Sequence, residues 1–169
     1  MFLSQNLAAY LGTFIVWGFL MAFLFNLLMG CLMQNLKQNM LLVVISGVMF
    51  FSYYTSDHFF KLFPAADYYL TLFFYDLITL LILLVCIKII KGDTPSSFYV
   101  ISGLLVNSVL FLSMYLDIYV RGNYDTWFLW KFYSVSVNVI DFIMIFVLIT
   151  NRDLLGAVRL SRRLKEKSA

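Results

Sequence analysis

Charged residues are scarce in this sequence: they make up 12% of its 169 residues, against roughly a quarter in an average soluble domain. Proline occurs only twice, whereas hydrophobic residues reach 63%. A soluble domain of this size cannot bury so much apolar side chain, because much of its surface must stay in contact with water. The composition therefore excludes a soluble enzyme and a conventional nucleic-acid-binding protein, and it indicates a membrane protein that crosses the bilayer several times.

Cysteine and the usual catalytic motifs are also lacking. Cys31 and Cys86 are too few for a disulfide framework, and they have no metal-ligand spacing. The sequence contains no Gly-x-Ser-x-Gly, no glycine-rich phosphate loop, no His-Glu-x-x-His and no Cys-x-x-Cys. We therefore expect no metal, no cofactor and no enzymatic activity, and an enzyme acting on lipids is the least favoured of the function classes.

Long apolar runs dominate the rest of the chain, and each approaches the roughly 20 residues that a helix needs to cross the hydrocarbon. Only helices satisfy their own backbone there, so the fold class is all-α. The five predicted spans are 7–33, 40–60, 68–90, 98–120 and 126–150. Because the links between them are short, neighbouring helices should be antiparallel in an up-down bundle. The sequence thus predicts one membrane domain, 1–150, followed by a tail, 151–169.

Lysine and arginine lie mostly on one side of this predicted bundle. Nine of the twelve fall on the side of the tail and three on the other side. Cytoplasmic loops carry the excess of such residues, so we expect the amino terminus outside and the tail in the cytoplasm, in the inner (plasma) membrane of the cell. The tail cations are either a simple topology anchor or a segment bound to the anionic leaflet. They include Arg159, Arg162, Arg163, Lys165 and Lys167.

Two carboxylates lie well inside predicted spans, Asp76 in the third and Asp141 in the fifth. Ionisable groups at such depths are expensive and usually face a cavity or a partner. Thr79, Asn107 and Asn138 lie at similar depths, and helical spacing places Asn138 and Asp141 on one face. We therefore predict a polar layer between spans three, four and five. It is either a hydrated proton or cation site or a set of interhelical hydrogen bonds worth about 0.6 kcal/mol each.

The outer end of the bundle is rich in charged and aromatic residues. The ionisable candidates for an outer vestibule are Asp57, His58, Lys61, Asp117, Arg121 and Lys131. Aromatic residues around them include Tyr53, Tyr54, Trp127 and Trp130, which are typical of an interfacial aromatic belt with ordinary loop charges. The alternative is a vestibule that concentrates a cation or binds a partner. With a single histidine and no second soft ligand, zinc is not expected.

Two function classes remain. The first is a channel or a proton- or cation-coupled carrier that uses the polar layer. The second is a sensor, immunity protein or accessory subunit that does not transport and that acts through a protein partner. Because five helices barely enclose a pathway, we expect a homo-oligomer or a partner membrane subunit in contact with the lipid bilayer, and no nucleic acid.

Overall fold

A computed structural model describes residues 5–32, 36–59, 68–92, 94–125, 127–154, 156 and 158–159. Every regular element among them is helical. The helices are α1 (Gln5–Leu32), α2 (Leu36–Phe59), α3 (Tyr68–Ile90), α4 (Pro95–Tyr115) with a π-helical continuation (Leu116–Val120), and α5 (Phe128–Thr150). Five helices are long and apolar enough to cross a membrane. The predictions of an all-α chain and of five spans are therefore confirmed for this part of the chain.

Helix α4 begins three residues earlier than the sequence pattern predicts. Thr94 has extended backbone, and its side-chain oxygen accepts a hydrogen bond from the Ser97 amide at 3.3 Å, which caps the helix. Pro95 follows in the first turn, where its missing N–H costs no hydrogen bond. Ser96 and Ser97 are polar but buried, so hydropathy alone places the start of the span too late.

The five helices form a ring. Each helix packs on the helix that follows it in the chain, and α1 packs on α5 to close the ring. Phe14 of α1 contacts Phe142 of α5, with ring centroids 5.9 Å apart. Further along both helices, Asn26 donates to the Leu148 carbonyl at 3.1 Å. The order of these contacts shows that α1 and α5 run in the same direction. We name the two ends of the bundle the α4–α5 end and the α3–α4 end, after the connections found there.

Glycine allows close helix approach at the interfaces of α5. A Cβ atom at Gly103 of α4 would lie 2.5 Å from Met144 Sδ and 3.1 Å from Ile140 Cγ2. At Gly18 of α1 it would lie 2.7 Å from Ile145 Cδ1. Small residues allow this kind of packing where lipid provides no hydrophobic force between helices. Helix α5 is therefore held tightly between α1 and α4, which limits where its polar side chains can face.

The apolar side chains divide between a packed core and an exposed surface. The core contains Phe19, Ile45, Leu83 and Leu104, which have no exposed surface. Many other large apolar side chains are exposed, including Trp17 at 61%. An exposed surface of this kind on apolar helices is what contact with a lipid bilayer requires.

Candidate functional site

Asp141 lies in the middle of α5, with only 3% of its surface exposed. Its Oδ1 atom accepts two hydrogen bonds, from the Tyr53 hydroxyl at 2.6 Å and from the Asn107 side-chain amide at 2.9 Å. Its Oδ2 atom accepts none from the described residues. Three helices, α2, α4 and α5, thus fix one oxygen of this carboxyl group and leave the other available.

Asp76 of α3 is also buried, at 7% exposure, but it is not held in this way. Its Oδ2 atom is inaccessible and has no hydrogen-bond partner among the described residues. One turn further along α3, Thr79 donates to the Tyr75 carbonyl at 2.7 Å and also pairs with the Ser52 hydroxyl of α2. The side-chain oxygen of Asn107 is likewise buried without a partner. A buried polar group without a partner is expensive, so each of these two atoms calls for a physical explanation.

A cavity of about 50 Å³ lies between the helices at this point, and Asp76 and Asp141 both line it. One water molecule needs roughly 10–15 Å³ of such space, so the cavity has room for water or an ion. Among the residues that the structure describes, the lining contains no lysine, arginine or histidine. The polar lining residues are Ser52, Tyr53, Ser56, Tyr75, Asp76 and Asp141, and the apolar ones are Leu72, Phe111 and Val137.

The cavity occupies only the half of the bundle nearer the α4–α5 end. Ser56 lies three residues before the end of α2, about 4.5 Å along the helix axis, whereas Asp141 lies in the middle of α5. Towards the α3–α4 end, Leu83, Leu104 and Met144 belong to the buried apolar core. Asp141 therefore lies at the boundary between a polar cavity and a closely packed apolar region.

The polar layer predicted from the sequence differs from the one observed in two respects. Asn138 is half-buried and donates to the Ser134 carbonyl of its own helix at 2.7 Å. Like Thr79 and Asn107 it does not line the cavity, but those two residues are hydrogen-bonded to side chains that do. Helix α2, which the prediction left out, contributes Ser52 and Tyr53. Tyr53 was assigned to the aromatic belt but points inward, where it packs on Phe19 with ring centroids 4.5 Å apart. The spacing of Ser52, Tyr53 and Ser56 on one side of α2 is the signal that could have shown this.

The predicted outer vestibule is partly a structural connection. Asp117 is buried, and its Oδ2 atom accepts from the Trp127 and Trp130 indoles at 2.7 and 3.2 Å. The Asn123 side-chain amide lies 3.3 Å from each of its oxygens. This carboxylate joins the end of α4 to the start of α5, so these two tryptophans do more than form an aromatic belt.

The other vestibule residues lie nearer the surface. Asp57 and His58 are adjacent on α2, with 3.9 Å between Asp57 Oδ2 and His58 Nδ1, and His58 stacks on Tyr54. Arg121 and Lys131 are exposed. Lys61 lies outside the described residues. In the described part of the chain, no three His, Cys, Asp or Glu side chains cluster as metal ligands would.

At the opposite end, Asp153 fixes the start of the tail. It accepts from the Tyr99 hydroxyl at 2.7 Å and from the backbone amides of Val158 and Arg159 at 3.4 and 3.1 Å. Burial acts to raise the pKa of Asp153, but these hydrogen bonds outweigh it and hold the pKa below the usual value. The predicted tail cations beyond Arg159 lie outside the described residues, namely Arg162, Arg163, Lys165 and Lys167.

In comparisons with protein-family models, with curated proteins and with solved structures, none matches this chain.

Proposed function

We propose that this chain is an ion carrier of the membrane and that Asp76 and Asp141 take up and release the transported proton. One observation carries this proposal. A buried carboxyl oxygen of Asp76 has no hydrogen-bond partner among the described residues, and Asp76 lines the same cavity as Asp141, a second buried carboxyl group. A purely structural role leaves both features without a purpose.

The comparison with Asp117 supports this interpretation. Asp117 shows how the chain stabilises a buried carboxylate for structural reasons, with two indoles and a side-chain amide as donors. Asp76 has no such donors for its Oδ2 atom. A carboxylate removed from water must be compensated by hydrogen bonds or by positive charge. Since no cationic side chain among the described residues lines the cavity, a proton or another cation from solution is the source that we propose.

The position of the cavity favours a carrier over an open channel. The polar lining stops at Asp141, and the closely packed apolar core lies beyond it. Release of a proton towards the α3–α4 end therefore requires a rearrangement of helices around the carboxyl pair, as in alternating access. The ring of five helices surrounds this pair within one chain, so the proposal does not require an oligomer. Self-association or a partner subunit stays a prediction.

The distribution of charge supports one orientation for this carrier. With the α4–α5 end outside and the tail in the cytoplasm, nine of the twelve lysines and arginines lie on the cytoplasmic side. We therefore propose that the cavity faces the outside of the inner (plasma) membrane in the state described. A proton then enters past Ser56 to reach the two carboxyl groups.

Proton flux into liposomes tests the function. The purified chain is reconstituted with a pH-sensitive dye inside, and the flux driven by a membrane potential is compared with that of Asp76→Asn and Asp141→Asn. We expect each substitution to lower the flux at least tenfold. Asparagine has almost the same size and shape as aspartate, but its side chain cannot take up and release a proton. Asp125→Asn, at an exposed position, is the matched control and should leave the flux unchanged. Wild-type flux in both cavity variants, or no flux in the wild-type chain, would overturn the proposal in favour of a non-transporting module.

A further inference from the structure

We propose that the cavity also binds a dehydrated monovalent cation of the sodium class, which displaces a proton from the Asp76–Asp141 pair. This inference rests on the proposed function, because it uses the same two carboxyl groups and assigns the ion that competes with the proton.

The size of the cavity limits the ligand to an ion or a few waters. Pockets for organic ligands usually measure about 300–1,000 Å³, whereas this cavity measures about 50 Å³. Phe111 also narrows it from the α4 side, where it packs edge to face on Tyr133 with ring centroids 5.8 Å apart. A sugar, an amino acid or a drug-sized molecule does not fit in this space.

The chemistry of the lining is that of a site for a hard cation. Every polar side chain that lines the cavity in the described part of the chain ends in oxygen: two carboxyl groups and the hydroxyls of two serines and two tyrosines. Hard cations prefer carboxylate, carbonyl and hydroxyl oxygen to nitrogen or sulfur. Because Tyr53 and Asn107 fix Oδ1 of Asp141, its Oδ2 atom is the one available to the cation, together with the carboxyl group of Asp76.

The number of ligands favours a monovalent ion over a divalent one. Calcium takes six to eight oxygens, and magnesium requires near-octahedral geometry and keeps several waters. Here two carboxyl groups face a cavity whose other oxygens are neutral, and the described residues contain no cluster of three acidic or otherwise metal-ligating side chains. Two carboxyl groups with one proton and one monovalent cation form a neutral site, which burial favours.

The exchange step is simple. The O–H bond of one carboxyl group breaks, the electron pair stays on oxygen, the proton leaves to solution, and the sodium ion binds the carboxylate left behind. Among the described residues, the titratable groups around this step are Asp76 and Tyr75 of α3, Tyr53 of α2 and Asp141 of α5, while α4 contributes only Asn107 and Phe111. Tyr133 of α5 does not line the cavity but packs on Phe111, which does. Since none of these groups is cationic, acid should weaken sodium binding through protonation of the carboxyl pair.

Sodium binding and proton release are measured together on the purified chain in detergent. Radioactive sodium gives the amount bound, and a pH dye in weak buffer gives the protons released when sodium chloride replaces choline chloride. We expect one sodium ion bound and one proton released per chain. In the pH range where the Asp76–Asp141 pair is protonated, the apparent Kd for sodium should rise up to tenfold for each unit by which the pH is lowered.

Variants test the assignment of the ligands. Asp76→Asn and Asp141→Asn should abolish both signals, and Ser56→Ala, which keeps both carboxyl groups, should weaken binding several-fold. Asp125→Asn should behave as wild type. Since a carboxyl variant can fail to fold, the increase in thermal stability that sodium gives the wild-type chain provides an independent readout, and choline should not reproduce it.

The outcomes separate the two proposals. Proton flux that depends on Asp141, without any sodium binding, overturns this inference and leaves the proposed function intact. Stoichiometric displacement of sodium by calcium or magnesium overturns the monovalent assignment. Sodium binding that survives in both carboxyl variants overturns the site itself. Absence of both flux and binding overturns both proposals.

Discussion

Removal of the Tyr53 hydroxyl tests the geometry of the carboxyl site. Tyr53→Phe removes the 2.6 Å hydrogen bond to Asp141 while keeping the ring that packs on Phe19. Interhelical hydrogen bonds in membrane proteins average about 0.6 kcal/mol and reach about 1.7 kcal/mol. Because the Asn107 amide still donates to the same oxygen, we expect a loss within this range, near 1 kcal/mol, rather than the larger penalty of a carboxyl oxygen with no donor.

The free energy of unfolding in mixed detergent and lipid micelles provides the measurement. Tyr54→Phe is the matched control, because the hydroxyl of this half-exposed neighbour makes no hydrogen bond with the described residues. Its effect should stay within about 0.5 kcal/mol, as for other surface substitutions. If Tyr53→Phe is as mild as Tyr54→Phe, then Tyr53 does not hold Asp141 and the site is wrong as described.

Two further substitutions test the packing and the tail. Gly103→Ala should destabilise the chain by about 1–3 kcal/mol in the same assay, because the new methyl group overlaps a buried side chain of α5. Gly12→Ala is the control: its methyl group meets nothing within 4 Å, so it should be neutral or stabilising by up to about 1 kcal/mol. Equal effects at the two glycines would contradict the close approach of α4 and α5. Asp153→Asn should make the stability of the chain depend less on pH in acid. The pKa of Asp153 is lower in the folded chain than the unfolded value of about 3.8, so its carboxylate stabilises the fold above that value. This stabilisation is lost as the pH falls through the folded pKa. Thermal melts between about pH 3 and pH 6 measure how the melting temperature depends on pH. If this dependence is the same in the variant as in the wild-type chain, Asp153 does not anchor the tail.

The spans were predictable because lipid imposes a simple rule on the chain. Every backbone amide inside the bilayer must be satisfied within its own helix, so a run of apolar residues indicates both the element and its length. The third span, Tyr68–Ile90, lies where hydropathy places it. The fourth does not, because Ser96 and Ser97 are polar in the sequence and become buried only when the helix cap and α5 satisfy them.

The candidate site was predictable only in part. Asp76, Asn107 and Asp141 stand out because polar residues are rare at such depths, and helical spacing indicates which faces they share. Their partners depend on how the helices rotate against each other, which hydropathy does not specify. Tyr53 is an example: tyrosine is common at membrane interfaces, and only the packing of α1 against α2 shows that this one points inward to Asp141.

The exchange of carboxyl protons with solvent tests the central claim most directly, because the account requires Asp76 and Asp141 to face water inside the membrane. Infrared spectra of the chain in lipid are recorded after transfer to D₂O, and the protonated-carboxyl C=O band is assigned by its loss in Asp76→Asn and Asp141→Asn. We predict that this band shifts within the time of mixing, since the cavity lets water reach both groups. A carboxyl band that belongs to these residues but stays unshifted for hours would contradict the claim.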